Sequence, residues 1–272
     1  GWSAPATWNE VAAYSKLIYE DTGKPGFSYD VAYAEAPFHL LSMQWGSPYI
    51  TDAGEADIDN DASRSAIQFY KSNYDAGYFT MPMDMPSANG GNYSNKGFVY
   101  QECYMFVGSA AGAQYSIPSA ESGQEVFEVG IAPVPQYDTG NQLVFTRGED
   151  YCVFSNATAE QRVAAWLLIK FLSQDEQNVE WLIATGNLPI TSTMADNPDY
   201  KAFLETDNDG SKLYYTAAEI NASLKMTDYM SYEKMSAVTA PLASATGSMW
   251  QAIIIGNQNV DEAIAAAVDE LK

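Results

Sequence analysis

The chain has 272 residues, 47% of them hydrophobic and 13% aromatic, and its 35 acidic against 13 basic residues leave a formal charge of -22 at neutral pH. That length suits one large domain or two modest ones with a full core. The charge argues against a nucleic-acid partner, which needs clustered Lys and Arg, and against docking of this domain on an anionic membrane, and no stretch is long and apolar enough to span a bilayer.

Thr7-Trp8-Asn9-Glu10 is a capping box that predicts a helix carrying Val11, Tyr14, Leu17 and Ile18. Residues 24–36, rich in Gly, Tyr and Pro, read as a loop, and Pro37–Trp45 as an apolar helix stopped by Gly46. Asp52–Asp61 is an acidic surface loop, and Ala62–Tyr74 an amphipathic helix ending near Gly77. Pro82–Asn92 is a breaker-rich loop. Strands are predicted over 103–108, 128–135 and 151–154. An amphipathic helix follows over 158–172, capped by Asn156 or Thr158, then a short helix with Val179, Leu182 and Ile183, closed by an αL cap at Gly186 and by Pro189. Two further helices are predicted over 216–222 and 261–271. Trp166 and Trp181 fall on apolar helix faces and read as packing residues, and Trp250 is left undecided.

Catalytic signatures are sparse. The single histidine, His39, sits in an apolar helical run and reads as structural or pocket-lining, and there is no G-x-S-x-G elbow, P-loop or dinucleotide fingerprint. No Cys/His spacing suits a metal, and the Glu205-Asp207-Asp209 run lacks the bidentate twelfth ligand of a calcium loop, so neither metal nor cofactor is expected. Cys103 and Cys152, each in an apolar run, read as buried free thiols, with a single bridge left open. Paired carboxylates for glycoside hydrolysis remain available among the acids, so a glycosidase is kept as a second class of function, as is an interaction module without a small ligand.

The motifs in order carry a resemblance. PATWNEV (residues 5–11) is similar to a "PkTWdEl" helix entry, and Phe98 through Met105 to Gly108-Ser109 to "F..GkaAM...GS", with Gln101-Glu102 in place of Gly-Lys. EVGIAPVP (128–135) is similar to "vgvaPlP". Ala164, Ala165, Trp166, Ile169, Lys170, Phe171 and Leu172, then Ser173, Glu176, Gln177, Trp181, Thr185, Gly186, Leu188, Pro189 and Ile190, fit a two-helix segment ending in "TGylPv". GNQNVDEA (256–263) fits the terminal helix entry. Each motif is degenerate, but their sequence order resembles the extracellular solute-binding proteins of ABC importers, family 1, which bind sugars and glycerol phosphates.

The resemblance implies an α/β fold of the periplasmic-binding-protein-like type II, two lobes with a cleft and hinge between them. Residues 1–142 and 210–272 would form the second, C-terminal lobe, and 143–209 a returning segment of the first lobe, the rest of which, about a hundred residues, would precede Pro5. The strand at 151–154 and the helix at 158–172 are then expected to pack partly on this lobe or on a neighbouring chain. The function implied is carbohydrate capture for an ABC permease without catalysis, by a cell-surface lipoprotein or periplasmic protein that touches the membrane only through an N-terminal lipid anchor outside this chain. Tyr29, Tyr33, Glu35, Phe38, Trp45, Gly108, Ser109 and Arg147 are the candidate ligand residues: aromatic faces for sugar C–H surfaces, and charged or backbone groups for hydroxyls. Phe38 and Trp45 read equally as core residues, and Gly108-Ser109 equally as a plain turn. Arg147 suits a hydroxyl or a phosphate, though the Arg147–Asp150 loop departs from the Gly-Gly pattern of glycerol-phosphate binders.

Overall fold

A computed structural model describes residues 2–119, 126–148 and 150–272; Glu149, within the Arg147–Asp150 loop, lies outside them. The first helix, α1 (Trp8–Thr22), starts with the capping box reciprocally bonded between Thr7 and Glu10 and stops at Gly23 in the left-handed conformation. It packs on β1 (Phe27–Tyr29), the middle strand of a parallel sheet ordered β4–β1–β5, with β4 at Phe79–Thr80 and β5 at Met105–Val107. Strand β1 lies inside residues 24–36, whose composition predicts a loop. All three of its residues are buried, so no alternation marks it, which is normal for a strand inside a parallel sheet. Gly26 is required where α1 meets β1, because a Cβ there would lie 2.3 Å from the Ser15 Cα.

Helices α2 (Ala36–Gln44), α3 (Asp61–Asp75), α9 (Thr239–Ile254) and α10 (Val260–Glu270) complete the main core. Phe27, Phe38, Tyr49, Tyr70, Phe79 and Trp250 are at most 2% exposed within it, which settles Trp250 as a packing residue. The acidic loop after α2 holds a short hairpin, β2 (Tyr49–Ile50) against β3 (Ala56–Asp57). A five-residue helix, α4 (Asn95–Val99), precedes β5. Farther along, β6 (Val144–Phe145) pairs in parallel with β7 (Met230–Ser231), bringing together segments about 85 residues apart in sequence.

A second, smaller core joins α6 (Asp175–Thr185), α7 (Pro198–Leu204) and α8 (Lys212–Leu224) through Val179, Leu182, Met194, Tyr200, Phe203, Ala217 and Ile220. It draws on both sides of residue 209, the expected lobe boundary. The predicted strands at 128–135 and 151–154 are not formed; the first runs without a ladder into a single bridge between Thr7 and Gln136. Helix α5 (Ala159–Leu172) has the expected Thr158 cap and packs on α6, yet none of its residues is buried. Val163, Trp166, Leu167, Leu168 and Phe171 are each more than half exposed, and Trp181 on α6 is 60% exposed. The assignment of Trp166 and Trp181 to packing is therefore corrected: helical periodicity finds an apolar face but not what covers it.

Candidate ligand-binding site

Ligands of open parallel α/β sheets sit beyond the carboxyl ends of the strands. Here the ends of β1 and β5 lie side by side, with the Asp30 N–H donating to the Val107 carbonyl at 2.9 Å. From β1 the chain runs through residues 30–35 into α2, whose first turn begins at Glu35. At the far end of α2 the buried Gln44 side chain donates to the Leu143 carbonyl (2.8 Å) and accepts from the Trp8 indole (2.7 Å) and the Tyr137 N–H (3.1 Å). That amide fixes the strand that follows, β6. Its register with β7, Phe145 opposite Ser231, places Arg147 and Glu233 each two residues beyond the paired strands.

The result is a charged cluster. The Arg147 guanidinium donates to Glu35 Oε1 through Nη1 at 3.1 Å, has Nη2 equally close, and lies 3.5 Å from Glu233 Oε2. Its Cζ stands 4.9 Å from the centre of the Tyr33 ring, a cation–π contact. Beneath it, His39 is sandwiched between Tyr49 (3.7 Å, 21° between planes) and Phe145 (4.3 Å), with Nδ1 3.5 Å from Glu233 Oε1. Burial, reinforced by the charge of Arg147, pushes the His39 imidazole down to about 3, so it is neutral at physiological pH. Burial raises the Glu233 carboxyl while Arg147 opposes the rise and Glu35 adds to it.

Beside this cluster, Asp30 accepts a 2.6 Å hydrogen bond from the Ser94 N–H. Burial nevertheless pushes its carboxyl up to about 6. Gly108 is where it is because a Cβ would stand 2.5 Å from Asp30 Oδ2. Ser109 follows at the exposed entry to a 3-10 turn over residues 110–115.

Of the candidate residues, Tyr33, Glu35 and Arg147 meet in direct contact, and Gly108 and Ser109 line the adjacent strand end. Tyr29 is different: it is 6% exposed and stacks on Trp8 inside the core. Phe38 is fully buried between Tyr49 and Trp250. The structure thus gives both residues packing positions, because their side chains turn to the inner face of β1 and α2. Trp45 is half-buried and stacked on Tyr137 at 4.1 Å, ten residues and about 15 Å along the helix from Glu35. Sequence reasoning missed Asp30 and Glu233. Asp30 had a signal, a carboxylate directly after a buried strand; Glu233 had none, since only the β6–β7 pairing brings it in. Cys103 is a buried free thiol as expected, whereas Cys152 is free and exposed, and so is corrected from buried.

Residues 2–206 match the family described as bacterial extracellular solute-binding protein. The chain belongs to this family, whose members are binding proteins. Solved structures agree on the fold. The sugar-binding protein MalE from the phytopathogen Xanthomonas citri superposes with a TM-score of 0.76 at 16% identity, over 100% of this chain and 64% of that one. The cyclic alpha-maltosyl-1,6-maltose binding protein from Arthrobacter globiformis gives 0.71 at 22% identity, over 99% and 64%. UgpB from Mycobacterium tuberculosis, in complex with glycerophosphocholine, gives 0.74 at 14% identity, over 98% and 63%. The fold is therefore α/β and periplasmic-binding-protein-like, and the chain spans a little under two thirds of the length of these structures. A comparison with curated proteins returns no match.

Proposed function

We propose that this chain supplies the ligand-facing part of the substrate-binding subunit of an ABC importer, which captures a mono- or oligosaccharide in an interlobe cleft and delivers it to the membrane permease. The observation that carries the reading is the Tyr33–Arg147–Glu35 constellation at the carboxyl side of the parallel sheet. An exposed aromatic ring stands beside polar groups held in fixed positions by each other, which is what a ring of C–H faces and hydroxyls requires. Structures of similar fold carry maltose-type sugars in their names, which supports the class. Residues 143–209 would belong to a first lobe and 1–142 with 210–272 to the second, with α8 packed across that boundary on α6 and α7, and the lobes would close about a hinge over the ligand. The mature protein would be a cell-surface lipoprotein or periplasmic.

An anionic solute such as a glycerol-phosphate ester is the alternative, favoured by the likeness to the glycerophosphocholine complex. Against it, both terminal nitrogens of Arg147 face carboxylates and Tyr33 covers its plane. The test is a thermal-shift and calorimetric panel of saccharides, polyols and glycerol phosphates. Stabilisation by a saccharide, weakened by Tyr33→Ala, supports the reading; stabilisation by glycerol phosphates alone replaces it.

A further inference from the structure

Glu233 is a partly buried carboxylate, its side chain 18% exposed, that accepts no hydrogen bond from the described residues: Arg147 Nη2 and His39 Nδ1 both stop at 3.5 Å. His39 Nδ1, on a side chain 2% exposed, is likewise without a hydrogen-bond partner among them and turns toward the same carboxylate. Neither Glu233 oxygen is sealed from solvent, so a ligand arriving from water can reach the carboxylate. Counting charges, Glu35 and Glu233 against Arg147 leave one negative charge uncompensated. Arg147 is already committed, by both terminal nitrogens and by its face. The cluster thus carries one unbalanced negative charge on a carboxylate that a ligand can reach.

We infer that the solute carries a protonated amine that seats on Glu233, making it an amino-bearing saccharide or polyol rather than a neutral or anionic one. The inference rests on the carbohydrate reading above and narrows it. An ammonium there donates to Glu233 and brings the cluster to neutrality. The groups facing Glu233 are Arg147, Glu35, His39 and the hydroxyl of Tyr49; His39 and Tyr49 are held neutral by burial. Glu233 is thus the group whose protonation removes the preference, and acidification weakens amine binding.

The experiment is isothermal titration of the chain with β-1,4-linked glucosamine disaccharide and with its N-acetylated counterpart at pH 7. The free amine is expected to bind about tenfold more tightly, the advantage of one close charge pair at a partly solvated site. Glu233→Gln, its fold checked by circular dichroism, is expected to cut that ratio to about threefold or less, and Glu233→Asp to keep part of it. Equal affinities in the native chain, or an undiminished ratio in Glu233→Gln, would overturn the amine while leaving a saccharide binder intact. Failure of every saccharide in the panel to bind would overturn the carbohydrate reading and this inference with it.

Discussion

Arg147 is held by two carboxylates and in turn holds them. Replacing it by Ala leaves Glu35, whose side chain is 10% exposed, without its donor, so unfolding stability is expected to fall by about 1–3 kcal/mol. Arg147→Lys should recover only part of this, because an ammonium cannot copy the planar fork. Chemical denaturation of the two variants checks it; equal stability of Arg147→Ala and the parent would mean that Glu35 finds another donor. Glu219, on α8, makes a second statement at this scale. Burial pushes its carboxyl up to about 8 from an ordinary 4.5, and one of its oxygens lacks a partner among the described residues. The folded chain holds this proton more tightly than the unfolded one, so its contribution is fully present below about pH 4.5 and is lost as pH rises toward 8. Asp30, raised to about 6, acts in the same direction over a lower window. Glu219→Gln should therefore raise the melting temperature at pH 8 and leave it unchanged at pH 4.5; melting curves at the two pH values decide, and a pH-independent difference would exclude titration as the cause.

Two elements make predictions of their own. Gly26→Ala drives a methyl group into the Ser15 backbone, with no flexible side chain to yield, and is expected to cost about 3 kcal/mol by separating α1 from β1. Urea denaturation measures it, and a loss below about 1 kcal/mol would show that α1 shifts freely. Helix α5 presents Val163, Leu167 and Phe171 as one stripe, spaced four residues apart, with Trp166 beside it, all exposed. A patch of that kind promotes association. The chain is expected to self-associate at micromolar concentration in sedimentation velocity, and Trp166→Glu with Phe171→Glu to restore the monomer. A monodisperse native monomer would show that the stripe is tolerated in water. The stripe itself was legible in the sequence, since helical period and the Thr158 cap are local; its exposure was not, because periodicity carries no information about the neighbour.

On the scale of the whole molecule, the chain has two unequal cores. The larger unites residues from Trp8 to Met81 with the C-terminal α9 and α10, and the smaller joins α6, α7 and α8. Opening free energy follows the apolar contact holding each unit, so amides of α6–α8 are expected to exchange at least about tenfold faster than those of α3 and α9. Native-state hydrogen exchange tests this, and uniform protection would make the molecule one cooperative unit. The charge of -22 weighs on both cores by self-repulsion, and added salt should raise the melting temperature until screening is complete.

The sequence by itself determined what is local. Thr7 with Glu10, Thr158 and Gly186 mark helix ends because caps act over three or four residues, and the ordered motifs pointed to a solute-binding fold because ordered short patterns survive where overall identity does not. The Tyr33, Glu35 and Arg147 side chains were within reach of that reading. Tertiary structure decided the rest. It sent Tyr29 and Phe38 into the core, showed Phe27–Tyr29 to be the central strand, and left 128–135 and 151–154 unpaired. It also assembled the charged cluster, because Glu233 reaches Arg147 only through the parallel pairing of β6 with β7, a contact between segments far apart along the chain that no residue near either of them announces.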